Sequence, residues 1–403
     1  MKILVINSGS SSIKYCLFDV NSHAEIISGM IDKIGNKDSS HKFTINDEFN
    51  TLHKSSTPSA LINIPNHKEG LQLIFSCLVG SKIITDSNEL FCIGHRVVHG
   101  GEKFRQPVII NQQVINEIRN LEPLAPLQNP ANLLGIEESI KAFGAIPQVA
   151  VFDTTFHQTI PEHAYRYALP KSWYEKSSVR RYGFHGTSHN YVARQAADYL
   201  KKPLQSLNLI TLHLGNGASM TAIKNGLSID TSMGMTPLEG LMMGTRCGDI
   251  DPAIAFYAAN TYKLNNNEIE TTLNKQSGFK GICGESDMRN VHKLADRGNL
   301  DAQLALNMYV YRIKKYIGAY YAILGHVDAI IFTGGVGEND TWVREHCCEN
   351  LDSLGIGADK QKNHSVNSRI CDISTDSQTV STLVIKTNEE LEIALQAINL
   401  IKN

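Results

Sequence analysis

Arg96 and Arg246 are the two side chains in this sequence whose settings call for an anion. Arg96 lies near the end of the apolar run 91–98, where a guanidinium is costly unless a negative group meets it. A structural ion pair is the plainer alternative there, although neither arginine has an evident acidic partner in the sequence. Arg246 lies in the long glycine-rich stretch 235–252, and loops of that length inside compact domains are usually functional. His185 sits among Gly and aromatic residues just before an amphipathic helix, an anion-friendly corner. Asp153 ends the apolar run 148–152 and is placed for a metal shell or a cleft, with a helix cap as the alternative. Three apolar runs lead into turns of small polar residues, at 7–12, 215–217 and 334–339. Such a tip gathers backbone N–H groups, hydroxyls, an amide and the Lys14 ammonium at one point, which is what a polyphosphate needs. No Cys or Ser stands out as a nucleophile. The set suits phosphoryl transfer, in which charge spreads over equatorial oxygens and catalysis is mostly positioning and electrostatics. Two arginines further suit an anionic acceptor meeting an anionic donor, and a carboxylate acceptor arrives already ionised.

These residues need elements to hold them. The run Ile3–Ile6, the small-residue turn and the run Ile13–Phe18 predict a hairpin with a wide polar tip. It is not a Walker A loop, because the Gly-Lys-Ser/Thr ending is missing and a strand follows. Residues 209–223 repeat the grammar, and 329–339 run from a strand into a Gly-rich turn. Two phosphate-type hairpins half a chain apart predict a duplicated domain with a nucleotide in the cleft between the copies. Alternate residues of a strand share a face, so Arg96 and Val98 are expected to point the same way. Helical spacing covers 66–79 with a stop at Gly80, a stretch from Pro130 to about Phe143, and a long helix stopped by Gly325. At the last helix Thr387 and Glu390 fit a capping box, which leaves Glu389 as the freer carboxylate.

At 403 residues the chain can build two domains, each with its own core. A formal net charge of −2 leaves no basic footprint for nucleic acid. The four apolar residues after Lys2 are too few for a signal-peptide core, and no stretch has the length of a membrane span. Eight Cys without any C-x-x-C, two of them adjacent at 347 and 348, indicate neither zinc nor a disulfide framework. The expectation is a cytoplasmic protein with reduced thiols.

With these motifs the chain resembles the acetate kinase family, in the acetate and sugar kinase, heat-shock protein and actin superfamily. The resemblance rests on Asn-Ser-Gly-Ser-Ser-Ser-Ile-Lys at 7–14, His-x-Gly-x-Gly at 213–217, Gly-Thr-Arg-Cys-Gly-Asp-Ile-Asp-Pro at 244–252, Gly-Gly-Val-Gly-Glu-Asn at 334–339 and Thr-Asn-Glu-Glu at 387–390. It implies an α/β fold of two duplicated actin-like (ribonuclease H-like) domains. The first would be 1–152 completed by 388–403, and the second 153–387 with the adenosine pocket. It implies ATP and acetate giving ADP and acetyl phosphate, reversibly, by direct in-line transfer with Mg²⁺ (or Mn²⁺ in its place), in a homodimer. Carried over by position, Arg96 and Arg246 hold acetate and the moving phosphoryl group, and His185 hydrogen-bonds that group. Asn7, Asp153 and Glu389 organise the metal, while Ser10, Ser12, Lys14, His213, Leu214, Gly215, Asn216 and Gly217 line the phosphate path. Asp153 and Asn216 join the two arginines and His185 in the catalytic set. Asp287, Met288, Arg289, Gly335, Val336, Gly337 and Asn339 match the adenosine pocket; Val98, Leu127, Phe184 and Pro237 match the pocket for the acetate methyl. Two departures stand out: Gln128 where the family commonly has His, and Met288 at a position touching the base. A propionate kinase would share every catalytic motif. A sugar or glycerol kinase would want a base and a polar acceptor pocket, and an actin-like nucleotide switch would leave Arg96, Arg246 and His185 without work.

Overall fold

The computed structural model describes residues 1–49, 60–61, 63–126 and 128–403. The chain forms two units, Met1–Thr155 with Asn388–Asn403, and Phe156–Thr387. In the first unit the strands are β1 (Lys2–Ser8), β2 (Ile13–Asp19), β3 (Glu25–Asp32), β4 (Ser40–Ile45), β5 (Ala60–Leu61), β6 (Leu90–Val97), β7 (Val108–Ile109) and β8 (Gln148–Phe152). They form one sheet in the order β5-β4-β3-β2-β1-β6-β8-β7. In the second unit β9 (Asn208–Leu214), β10 (Ala218–Lys224), β11 (Leu227–Thr231), β12 (Ala329–Thr333), β13 (Ile370–Asp372) and β14 (Ser381–Ile385) lie in the order β11-β10-β9-β12-β14-β13.

Five strands of each sheet follow one plan. β3-β2-β1 and β11-β10-β9 are antiparallel meanders. β1-β6-β8 and β9-β12-β14 then continue in parallel. Parallel neighbours need crossovers, and the helices His67–Gly80, Asn129–Phe143 and Leu300–Leu324 lie in them. The plan puts the tip of each unit's first hairpin at the strand end from which the parallel strands also deliver their last residues.

The apolar run of β1 is explained by burial on both faces. Leu4 and Ile6 pack in one cluster with Leu71, Ile74 and Leu78 of the helix His67–Gly80. Ile3 and Val5 pack in another with Ile393, Ala394 and Ala397 of the terminal helix Glu389–Lys402. Successive strand residues point to opposite faces, so a strand covered by helices on both sides must be apolar throughout. The eight cysteines are all free thiols.

Two local expectations are corrected. The Gly-rich segment after β12 is not an open turn but a short helix, Gly334–Asn339, entered through Gly334 at φ +76. The last helix is capped by Asn388, whose side chain accepts the Leu391 N–H at 2.9 Å, and not by a Thr387–Glu390 box. The Thr387 hydroxyl is instead bonded to Ser188 Oγ at 2.8 Å, and Glu390 is drawn to Lys14.

Candidate active site

In the first unit β6 supplies Arg96 and the end of β8 supplies Asp153. The two are bound edge to edge: Arg96 Nε donates to Asp153 Oδ1 at 3.0 Å and Nη2 to Oδ2 at 2.6 Å. The Arg96 Nη1 group reaches Asn7 Oδ1 at 3.5 Å. Arg96 therefore has its acid, 57 residues further along the chain, and the ion-pair alternative is the one the fold adopts. Burial works against the charge of Arg96, but Asp153 and then Glu389 outweigh it and hold its pKa above the usual value. Glu389 and Glu390 both act on this guanidinium, so the start of the last helix belongs to the same cluster. The Glu390 carboxylate lies 2.6 Å from Lys14 Nζ.

The first hairpin tip is closed by a Gly9 N–H to Ser12 carbonyl bond of 2.8 Å, with Ser10 exposed and Ser12 half-buried. His67 Nε2 donates to the Gly9 carbonyl at 2.7 Å. Asn132 ties this tip to the exit of β6: its Oδ1 accepts the Val98 N–H at 3.0 Å and its Nδ2 donates to the Ser8 carbonyl at 2.7 Å. Asn129 clamps His99 the same way, accepting from its N–H at 3.0 Å and donating to its carbonyl at 3.1 Å. β6 stops at Val97, so Val98 sits one residue past the strand, 7% exposed. Leu127 lies outside the described residues. Gln128 precedes the helix Asn129–Phe143 and makes no side-chain capping bond.

In the second unit the β9–β10 tip is closed by a Gly215 N–H to Gly217 carbonyl bond of 3.0 Å. Leu214 is fully buried beneath it at the end of β9. His185 holds the left-handed conformation (φ 56) at the start of the helix Gly186–Leu200, a geometry that costs about 1 kcal/mol or more for a residue with a Cβ. Its Nδ1 lies 2.9 Å from Ser219 Oγ, and its ring stacks on His213 with centroids 4.3 Å apart. A Cβ added at Gly217 would stand 3.4 Å from Arg246 Nη1 and 3.7 Å from His185 Cε1. The two side chains therefore converge on one stretch of glycine backbone. Arg246 donates to the Pro237 carbonyl at 3.0 Å and, among the described residues, bonds to no carboxylate; burial pulls its pKa down. Its loop is pinned by the Gly244 N–H on the Asn216 carbonyl at 3.0 Å and the Phe279 N–H on the Met243 carbonyl at 3.0 Å. Phe184, 1% exposed, offers its carbonyl to His157 Nε2 at 3.0 Å.

A cavity of about 940 Å³ opens in the second unit, lined by Asp287, Met288, Arg289, Gly335, Val336 and Asn339. Gly215 and Asn216 of the hairpin tip reach it as well. Gly337 does not line it: this glycine is buried, and a Cβ there would come within 3.3 Å of the Phe332 carbonyl carbon. Sequence reasoning missed His292, Asp296 and Trp342, which also line the cavity. The signal was available, since Met288, His292 and Asp296 recur every four residues on one helix face. His292 Nε2 lies 2.7 Å from Asp340 Oδ2. His67, Asn129 and Asn132 were missed too, and nothing local in the chain announces their long-range bonds.

The model of the Acetokinase family matches residues 2–395. An acetate kinase of Sulfurovum sp. is 54% identical over 397 residues, 98% of each chain. The acetate kinase of Porphyromonas gingivalis superposes with a TM-score of 0.91 at 43% identity, covering 100% of both chains. A propionate kinase from Francisella tularensis gives 0.91 at 40% identity over 98% of each chain.

Proposed function

The chain belongs to the acetokinase family and is an ATP-dependent phosphotransferase with acetate as its carboxyl acceptor, and we propose that it works by direct in-line transfer with Mg²⁺. An oxygen of acetate attacks the γ-phosphorus, the bond to the β–γ bridging oxygen breaks, and that oxygen leaves on ADP. Arg96, aligned by Asp153, holds the acceptor carboxylate. Arg246 and His185 stabilise the charge on the equatorial oxygens, and Asn216 steadies the phosphate chain. The adenosine end takes the cavity of the second unit, with Met288 against the base. Val98, Leu127, Phe184 and Pro237 are the residues assigned to the acetate methyl. The observation that carries this reading is Arg246, a half-buried guanidinium beside Gly217 with no acid among the described residues to neutralise it.

The first unit offers an all-oxygen donor set for the metal. Asn7 and Glu389 are the proposed ligands, with Asp153 beside them to organise the bound waters. Among the described residues no three of His, Cys, Asp and Glu converge to hold an ion alone. That pattern suits Mg²⁺, which keeps waters and shares substrate phosphates rather than filling a protein cage. When bound, Mg²⁺ would neutralise charge on the phosphate oxygens.

We further propose a homodimer. The helix Ala253–Tyr262 has no buried residue, and its Phe256, Tyr257 and Tyr262 are 71%, 60% and 66% exposed, apolar surface of the kind that marks an interface. No described helix is long and apolar enough to cross a membrane.

The test of the reaction is incubation with ATP, Mg²⁺ and hydroxylamine, which traps an acyl phosphate as its hydroxamate. Acetohydroxamate should form only when ATP, metal and acetate are all present. ATP hydrolysis without hydroxamate would sink the proposal, and faster product from propionate would move it to that acid.

A further inference from the structure

Behind His185 runs a chain of buried polar groups that the transfer chemistry does not itself use. Ser219 Oγ lies 2.9 Å from His185 Nδ1 and 2.8 Å from His189 Nε2. His189 Nδ1 lies 2.7 Å from Thr211 Oγ1. Thr211, His189 and Ser219 are all fully buried. Thr211 is on β9, Ser219 on β10, and His189 on the first turn of the helix that His185 precedes.

Proton counting gives this chain a direction. A hydroxyl has one hydrogen to donate, and a neutral imidazole has one N–H and one lone-pair nitrogen. His189 is neutral, because full burial holds its pKa well below the usual value, reinforced by His157 and His213. Among the described residues the Thr211 hydroxyl meets no partner except His189 Nδ1, so its hydrogen is satisfied only by donation to that nitrogen. His189 must then carry its proton on Nε2 and donate to Ser219 Oγ. The Ser219 hydrogen has only His185 Nδ1 left to meet. The reverse order would leave the Thr211 hydrogen buried without an acceptor, a penalty of the size of a lost hydrogen bond.

We infer that Thr211, His189 and Ser219 are positioning residues, a one-way relay of donors that keeps His185 Nδ1 as an acceptor and its proton on Nε2. His185 is thereby a ready donor as a neutral ring and need not gain a proton before it can bond an oxyanion. The inference rests on the proposed function only for what that Nε2–H meets, namely an oxygen of the transferring phosphoryl group. The left-handed backbone of His185 serves the same end, since it aims the ring while Ser219 fixes its tautomer.

The test is the side-chain nitrogen spectrum of His185 in the full-length enzyme at pH 8, where an ordinary imidazole is neutral. The resonances are assigned by their loss in His185→Gln. The relay requires an unprotonated Nδ1 and a protonated Nε2. A protonated Nδ1, alone or together with Nε2, overturns it, whether or not the enzyme proves to phosphorylate acetate. Thr211→Val keeps the shape and removes the hydroxyl. It should yield mixed tautomers of His185 and lower kcat by about ten- to a hundredfold, the usual cost of losing a partner that orients an imidazole. KM should be unchanged, and Thr211→Ser should restore both the tautomer and kcat. Wild-type kcat and tautomer in Thr211→Val would also overturn the relay. If Thr211→Val does not fold, the wild-type spectrum decides.

Discussion

Arg96 on β6 and Asp153, one residue past the neighbouring parallel strand β8, face each other with two parallel N–H···O bonds, at 3.0 and 2.6 Å. Asp153 is 1% exposed, so removing its partner strands a buried charge. Arg96→Ala is expected to slow turnover by about 10²–10³-fold, the cost of losing one anion-stabilising group in a dry site. It should also cost about 3–5 kcal/mol of stability, the usual price of leaving one ion of a buried pair alone. Denaturant midpoints and steady-state rates measure the two effects separately. A variant with wild-type stability would show that the pair is not held in solution.

Arg246 predicts the opposite division. It bonds to no carboxylate among the described residues, and burial alone acts on its pKa. Arg246→Ala should therefore lose turnover by about 10²–10³-fold while keeping or slightly raising the melting temperature. Arg246→Lys should restore it only in part, because a point charge cannot copy a planar fork. Full activity in the lysine variant would reduce the role of Arg246 to its charge.

Glu389 and Glu390 are adjacent yet should fail differently. Glu389→Gln is expected to raise the Mg²⁺ concentration needed for half-maximal rate. Glu390 pairs with Lys14, so Glu390→Gln should instead raise KM for ATP at saturating metal. Metal and nucleotide titrations of both variants separate the roles, and a metal-sensitive Glu390 with a silent Glu389 would reverse the assignment.

His292 links the stability of the second unit's cavity to pH. Its hydrogen bond to Asp340, opposed by burial, raises its pKa above the usual 6.5. A group whose folded pKa is raised contributes fully below the unfolded value, and that contribution disappears as pH climbs through the folded value. Stability should thus decline as pH rises from 6.5 upward through this titration, and His292→Gln should flatten that part of the profile. An identical slope in both proteins would mean that other groups carry it.

Val98, buried just past β6, is expected to limit acyl size. Acetate should be preferred over propionate, since one methylene in an apolar pocket is worth about 10–200-fold. Val98→Ala should narrow or invert the kcat/KM ratio of the two acids. An unchanged ratio would turn attention to Gln128.

What could be read from the chain was whatever local pattern encodes. The hairpins at 2–19 and 208–224 follow from apolar alternation around small-residue tips. The long helix Leu300–Leu324 ends at Gly325 as its spacing implies. What could not be read were partners chosen by the fold. Asp153 meets Arg96 only because β6 and β8 become neighbours, and Asn132 reaches Ser8 across 124 residues. The capping box failed for the same reason: Ser188 and Lys14, both remote in sequence, engage the two residues that local chemistry would have paired. Masses of backbone geometry around Gly217 bring Arg246 to His185, and no spacing rule foretells that approach.

The terminal helix Glu389–Lys402 completes the first unit, although the whole second unit, Phe156–Thr387, comes between. Ile393, Ala394 and Ile398 close over Ile3, Val5, Cys92 and Val149, and Gly94 is small enough to let Ile393 in. During synthesis the first unit's sheet face therefore lacks this cover until the chain beyond the second unit has been made. Until the closing helix is in place, an uncovered apolar face of that kind is prone to aggregate. The order of translation makes the oldest part of the chain the last to mature.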